Sequence, residues 1–180
     1  TTEGKTFVGA GTHRNAARAT LVDLNNAEII YGDVLVHTPA TAIFATDTTK
    51  YPGYVGATPQ PKGYVSVTQA YDPTHGAATS PTLKVTYRLE GFSSKAVGGG
   101  LHVHVGTTCA EAGGHYWNAE AVYSDPWFTK WGLADDAGMA EGSFTLRIGY
   151  SMDQMVGRTI VLHDSEGKRM SCAVLSSDST

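Results

Sequence analysis

Residues 84–91, K-V-T-Y-R-L-E-G, constrain this chain most: Val85, Tyr87 and Leu89 alternate strictly with Thr86, Arg88 and Glu90. A period of two sends successive side chains to opposite faces, so the stretch suits a strand with one buried and one wet face, not a helix. The alternation recurs where Phe144, Leu146 and Ile148 interleave with Thr145 and Arg147, and residues 64–70 read as another half-buried strand. With runs at 28–37, 42–46, 100–106 and 158–163, the chain offers roughly eight short strands. Turn signals separate them: Asp72-Pro73, Ser80-Pro81, Asp125-Pro126, Gly98-Gly99-Gly100 and Glu166-Gly167. With 21 glycines and 7 prolines in 180 residues, the expectation is one all-β fold, a sandwich or Greek-key barrel.

The net charge of −4 and the lack of a Lys/Arg run speak against nucleic acid or an anionic membrane as partner. No stretch approaches the roughly 20 apolar residues of a membrane span. The chain starts at Thr1 without an initiator methionine or leader, as expected of a mature protein or an excised fragment. Two irregular stretches stand out. Residues 48–61, rich in Pro and Gly, read as a long loop; residues 107–131 carry Cys109, His115, Trp117, Trp127 and Trp131, and are too aromatic for disorder. The three tryptophans are expected to pack that loop.

Four of the seven histidines lie in β-type or turn-rich settings suited to a metal: His102 and His104 in L-H-V-H-V, His115 in G-G-H-Y-W and His163 in V-L-H-D. On a strand His102 and His104 share a face, while Leu101, Val103 and Val105 face a core. Imidazoles without thiolate or carboxylate suit copper or zinc. A blue-copper site needs a Cys ligand with His and Met close behind, and no Met follows Cys109 and His115 nearby. A cupin-type site needs a carboxylate soon after the paired histidines, and Glu111 fits poorly. His13, His37 and His75 read as ordinary surface or core histidines. The only two cysteines, Cys109 and Cys172, are compatible with one disulfide or with free thiols, and a disulfide would place the protein outside the cytosol.

These residues together resemble the copper-zinc superoxide dismutases. Gly99 to Val105 is similar to their G-x-H-V-H strand, and C-A-E-A-G-G-H, from Cys109 to His115, to their disulfide cysteine and third copper histidine. G-R-T-I-V-L-H, ending at His163, resembles the strand bearing the fourth, and K-R-M-S-C-A-V-L resembles the active-site arginine, here Arg169, three residues before the second cysteine. Two departures are plain. No histidine lies between His115 and His163, where the family has its zinc ligands, and only residues 164–168 separate His163 from Arg169, where the family has a long charged loop. Both resemble the copper-only branch, and G-G-H-Y-W-N with Asp125-Pro126-Trp127 is similar to its repeat proteins.

The resemblance implies an eight-stranded antiparallel Greek-key β-barrel over residues 39–180. Residues 1–38 are left as an N-terminal extension: an added hairpin, a linker remnant or an exchanged strand. It implies one copper and no zinc per domain, held by His102, His104, His115 and His163, a Cys109–Cys172 disulfide, and Arg169 orienting superoxide with Lys168 adding positive charge. It further implies an extracellular protein with neighbouring repeats of the same type. Without zinc, the second nitrogen of His115 needs another acceptor, for which Asp125 is the candidate; Asp125 also suits an ordinary turn before Pro126. Two functions follow: a superoxide dismutase, or a copper-binding module for storage, sensing or delivery on the same scaffold.

Overall fold

The computed structural model describes residues 39–44, 49–57, 60–70, 82–129 and 132–177, together with the backbone of four short N-terminal strands. His13, His37, His75 and Trp131 lie outside the described residues, as do the Asp72-Pro73 and Ser80-Pro81 turns. The chain divides into two compact units, Thr1–Thr38 and Pro39–Thr180.

In the first unit β1 (Asn15–Ala17) pairs antiparallel with β4 (Val34–Val36), and β2 (Thr20–Val22) with β3 (Glu28–Ile30). The single run expected at 28–37 is thus two short strands, each with its own partner.

The second unit is all-β. β5 (Ala40–Phe44), β6 (Lys62–Ala70), β7 (Thr82–Glu90) and β9 (Met139–Arg147) form a four-stranded antiparallel sheet in the order β5-β6-β7-β9. β8 (Leu101–His104), β10 (Thr159–His163) and β11 (Arg169–Val174) form a second antiparallel sheet in the order β11-β10-β8. The alternation read in residues 84–91 does face as expected: Leu83, Val85, Tyr87 and Leu89 are buried, and Lys84, Arg88 and Glu90 are exposed. They meet Ala42, Phe44, Val65 and Val67 from their own sheet, and Leu101, Val103, Ile160, Leu162 and Met170 from the other, in one core.

Seven strands in two sheets are seen where eight in a closed barrel were expected, and no ladder closes the sheets among the described residues. Isolated bridges stand in place of further strand pairing: Thr41 with Ser176, Lys50 with Ser171, and Val97 with Leu133. β11 was not among the strands read from alternation. Met170, Ser171, Cys172 and Ala173 are all buried, so the strand lacks the alternation that betrays a half-exposed one.

Candidate metal centre

The period of two on β8 builds the first half of the site. Leu101 and Val103 fill the core, which turns His102 and His104 to the opposite face of the sheet. Across the ladder His102 faces Val161 and His104 faces Thr159 on β10, which continues to His163. A register shift between Leu162 and His163 then sets His163 opposite Arg169 on β11. Bulges of this kind re-aim side chains at sheet rims.

Ligand atoms of His102, His104 and His163 lie within 4.8 Å of one another. His115 stands edge-on beside the triad, its ring centroid 4.4 Å from His102 and 5.1 Å from His104. A backbone bridge between His104 and His115, with the Tyr116 N–H on the Val103 carbonyl at 2.8 Å, pins it there.

Each ring is oriented by an acceptor on its far nitrogen. His102 Nε2 donates to the Thr129 carbonyl at 3.1 Å, His104 Nδ1 to Gly113 at 3.0 Å and His163 Nδ1 to Gly167 at 2.9 Å. A carbonyl can only accept, so the far nitrogen carries the proton and the near one keeps its lone pair. The near atoms are therefore Nδ1 of His102 and Nε2 of His104 and His163, all three buried. Those of His102 and His104 have no hydrogen-bond partner among the described residues. Leaving a buried polar atom unsatisfied costs about 1–3 kcal/mol, and a metal ion would satisfy them. The all-nitrogen donor set fits copper or zinc.

Desolvation by burial lowers the pKa of His102 to about 3, with His115, His163 and His104 adding repulsion. Burial likewise lowers His104 to about 4 and moves His163 down. At neutral pH these rings are uncharged, as metal ligation requires.

Asp125, weighed in the sequence against a plain turn role, does both jobs. Its Oδ2 accepts from His115 Nδ1 at 2.7 Å, and its Oδ1 accepts from the Trp127 N–H at 2.9 Å. Trp127 is buried and donates from its indole to the Tyr116 carbonyl at 2.9 Å, while Trp117 packs half-buried against the core.

Cys109 and Cys172 form a disulfide, and no cysteine among the described residues is free. It ties the 3-10 turn Cys109–Glu111 to β11 over a small cluster of Ala112, Val161 and Cys172. The loop so anchored presents the Gly113 carbonyl, which accepts from both His104 and an Arg169 guanidinium nitrogen. A second Arg169 nitrogen donates to the Tyr51 hydroxyl at 2.8 Å. Lys168, expected to add positive charge, instead pairs with Glu166 at 2.6 Å, which offsets it.

Three features escaped the sequence reading. The carbonyls of Thr129, Gly113 and Gly167 act through the backbone, which leaves no side-chain signature. Tyr51 comes from the stretch read only as a loop. Gly98-Gly99-Gly100 was read as a turn, yet a Cβ on Gly100 would lie 2.3 Å from the His102 ring, and one on Gly99 2.1 Å from the His163 and Asp164 carbonyl oxygens. These glycines admit the site as well as bend the chain.

No helix among the described residues is long and apolar enough to cross a membrane. Comparison with known protein families finds no matching family, and comparison with curated proteins finds no match.

Proposed function

We propose that this chain is an extracellular copper-only superoxide dismutase, converting superoxide to O2 and hydrogen peroxide. The observation that carries this reading is the triad of His102, His104 and His163, its protonated nitrogens held by backbone carbonyls, with Arg169 opposite His163. On this reading the two sheets are the halves of a Greek-key barrel, with one copper and no zinc per domain, in a protein of neighbouring repeats. The intact disulfide suits an oxidising compartment.

The triad supplies three nitrogen donors, and His115 the fourth, its Nδ1 proton held by Asp125 so that Nε2 is left for the metal. The chemistry a copper ion supplies when bound is one-electron cycling between Cu(II) and Cu(I), by which one superoxide is oxidised to O2 and another, with two protons, is reduced to hydrogen peroxide. Arg169 contributes a permanent charge, and its contacts with Tyr51 and Gly113 fix the guanidinium plane while leaving further N–H donors for a small anion. With Lys168 offset and the chain net negative, attraction of the anion is short-ranged and centred on Arg169.

The test is superoxide decay after pulse radiolysis on protein loaded with one copper, beside Arg169→Ala and His163→Ala. Fast turnover that slows with salt and collapses in both variants supports the enzyme. Tight copper binding without turnover replaces it with a copper module for storage, sensing or delivery.

A further inference from the structure

Tyr54 and Asp164 are given no part in the proposed reaction, yet they meet beside His163. Tyr54 is 6 % exposed, and its ring lies over Gly56, where an added Cβ would fall 2.1 Å from the hydroxyl. That hydroxyl donates to Asp164 Oδ2 at 2.9 Å, a contact between residues 110 apart in sequence.

Asp164 is 4 % exposed, and burying a carboxylate so deeply requires several donors. It finds them in the turn it opens. Its Oδ1 accepts from the N–H of Glu166 at 3.0 Å and of Lys168 at 2.9 Å. The backbone closes the same turn through Asp164 N–H to Lys168 O at 2.9 Å and Gly167 N–H to Asp164 O at 3.0 Å. Gly167 sits at φ 81°, a conformation that side chains resist, and its carbonyl accepts from His163 Nδ1. One carboxylate thus organises the turn whose carbonyl decides which His163 nitrogen carries the proton.

We propose that Asp164, braced by Tyr54, is the positioning residue of His163: it holds the Gly167 carbonyl against Nδ1 and so keeps Nε2 directed at the metal. This rests on reading His163 as a ligand, and it is independent of whether the bound metal turns over superoxide.

The test is Cu(II) titration against a competing chelator, with Cu(II) electron paramagnetic resonance, on the whole chain and on Asp164→Ala, Asp164→Asn and Tyr54→Phe. Asp164→Ala is expected to weaken copper binding by about 10–100-fold and to alter the copper hyperfine splitting. Asp164→Asn, which keeps an acceptor for the turn N–H groups, is expected to recover most of both. Tyr54→Phe keeps the ring over Gly56, and is expected to shift the spectrum in the direction of Asp164→Ala while the metal-free protein keeps its circular dichroism. Should Asp164→Ala fail to fold, Tyr54→Phe carries the test. Lower melting temperatures with an unchanged spectrum and affinity within about twofold of the parent would reduce the pair to a structural brace and overturn the proposal. A parent chain that binds no copper would instead remove the ligand reading, and the inference with it.

Discussion

Replacing both cysteines, Cys109→Ala with Cys172→Ala, tests how far the disulfide holds the site together. The bridge spans 63 residues of sequence, and the loop-closure relation gives about 4 kcal/mol for a loop of that size. The native packing lost is small, because the cluster beneath the bridge comprises only Ala112, Val161 and Cys172 with Tyr51 and Cys109 at its edge. For a domain of this size a kcal/mol moves the melting temperature by about 2–4 °C, so the metal-free double variant should melt roughly 8–16 °C below the parent. The loss has a direction as well as a size. Released from β11, the 3-10 turn no longer fixes the Gly113 carbonyl, which serves both His104 and Arg169. Copper affinity should therefore fall along with stability. The assay is thermal unfolding of the metal-free proteins by circular dichroism, followed by copper competition on the folded fraction. A double variant that melts within about 2 °C of the parent would refute the loop-closure reasoning. One that melts low but binds copper with parental affinity would refute the role given to Gly113.

Three further outcomes are expected. Asp125→Ala removes the acceptor of His115 and one partner of the Trp127 N–H, and should weaken copper binding by about 10–100-fold with a stability cost of about 1–2 kcal/mol, measured by chelator competition and urea unfolding. Metal-free protein should lose stability as pH falls from 6.5 toward 4, because unfolding lets His102 and His104 take up protons that burial denies them in the fold. At pH 5 this amounts to at most about 2 kcal/mol for buried His104 and less for the more exposed His102, and urea midpoints that stay flat across this range would contradict it. Gly99→Ala places a methyl 2.1 Å from two carbonyl oxygens of the chain at His163 and Asp164, and should destabilise the fold by more than about 1 kcal/mol and weaken copper binding; parental melting and affinity would count against it.

Much of the frame was legible from residue order. Alternation in residues 84–91 and 100–106 placed Val85, Tyr87, Leu89, Leu101 and Val103 in the core, and with them showed that His102 and His104 leave it together, while Val105, expected in the core too, is exposed. The pairing of Cys109 with Cys172 was anticipated through the family resemblance, since two cysteines alone carry little information. β11 escaped the alternation reading because burial on both faces erases the pattern, and one of the expected runs, 28–37, belongs to the first unit and not to the two sheets of the second.

What the sequence by itself determined was which histidines are candidate donors and the face on which two of them stand, because a strand's period is a local property of the backbone. Only the tertiary structure decided which nitrogen each histidine offers. That choice depends on carbonyls of Thr129, Gly113 and Gly167, on the carboxylate of Asp125, and on the Tyr54–Asp164 contact between residues far apart in sequence. Every residue carries a carbonyl, so nothing in the order of side chains marks the ones that matter; the fold selects them by bringing three of them within hydrogen-bond distance of three rings.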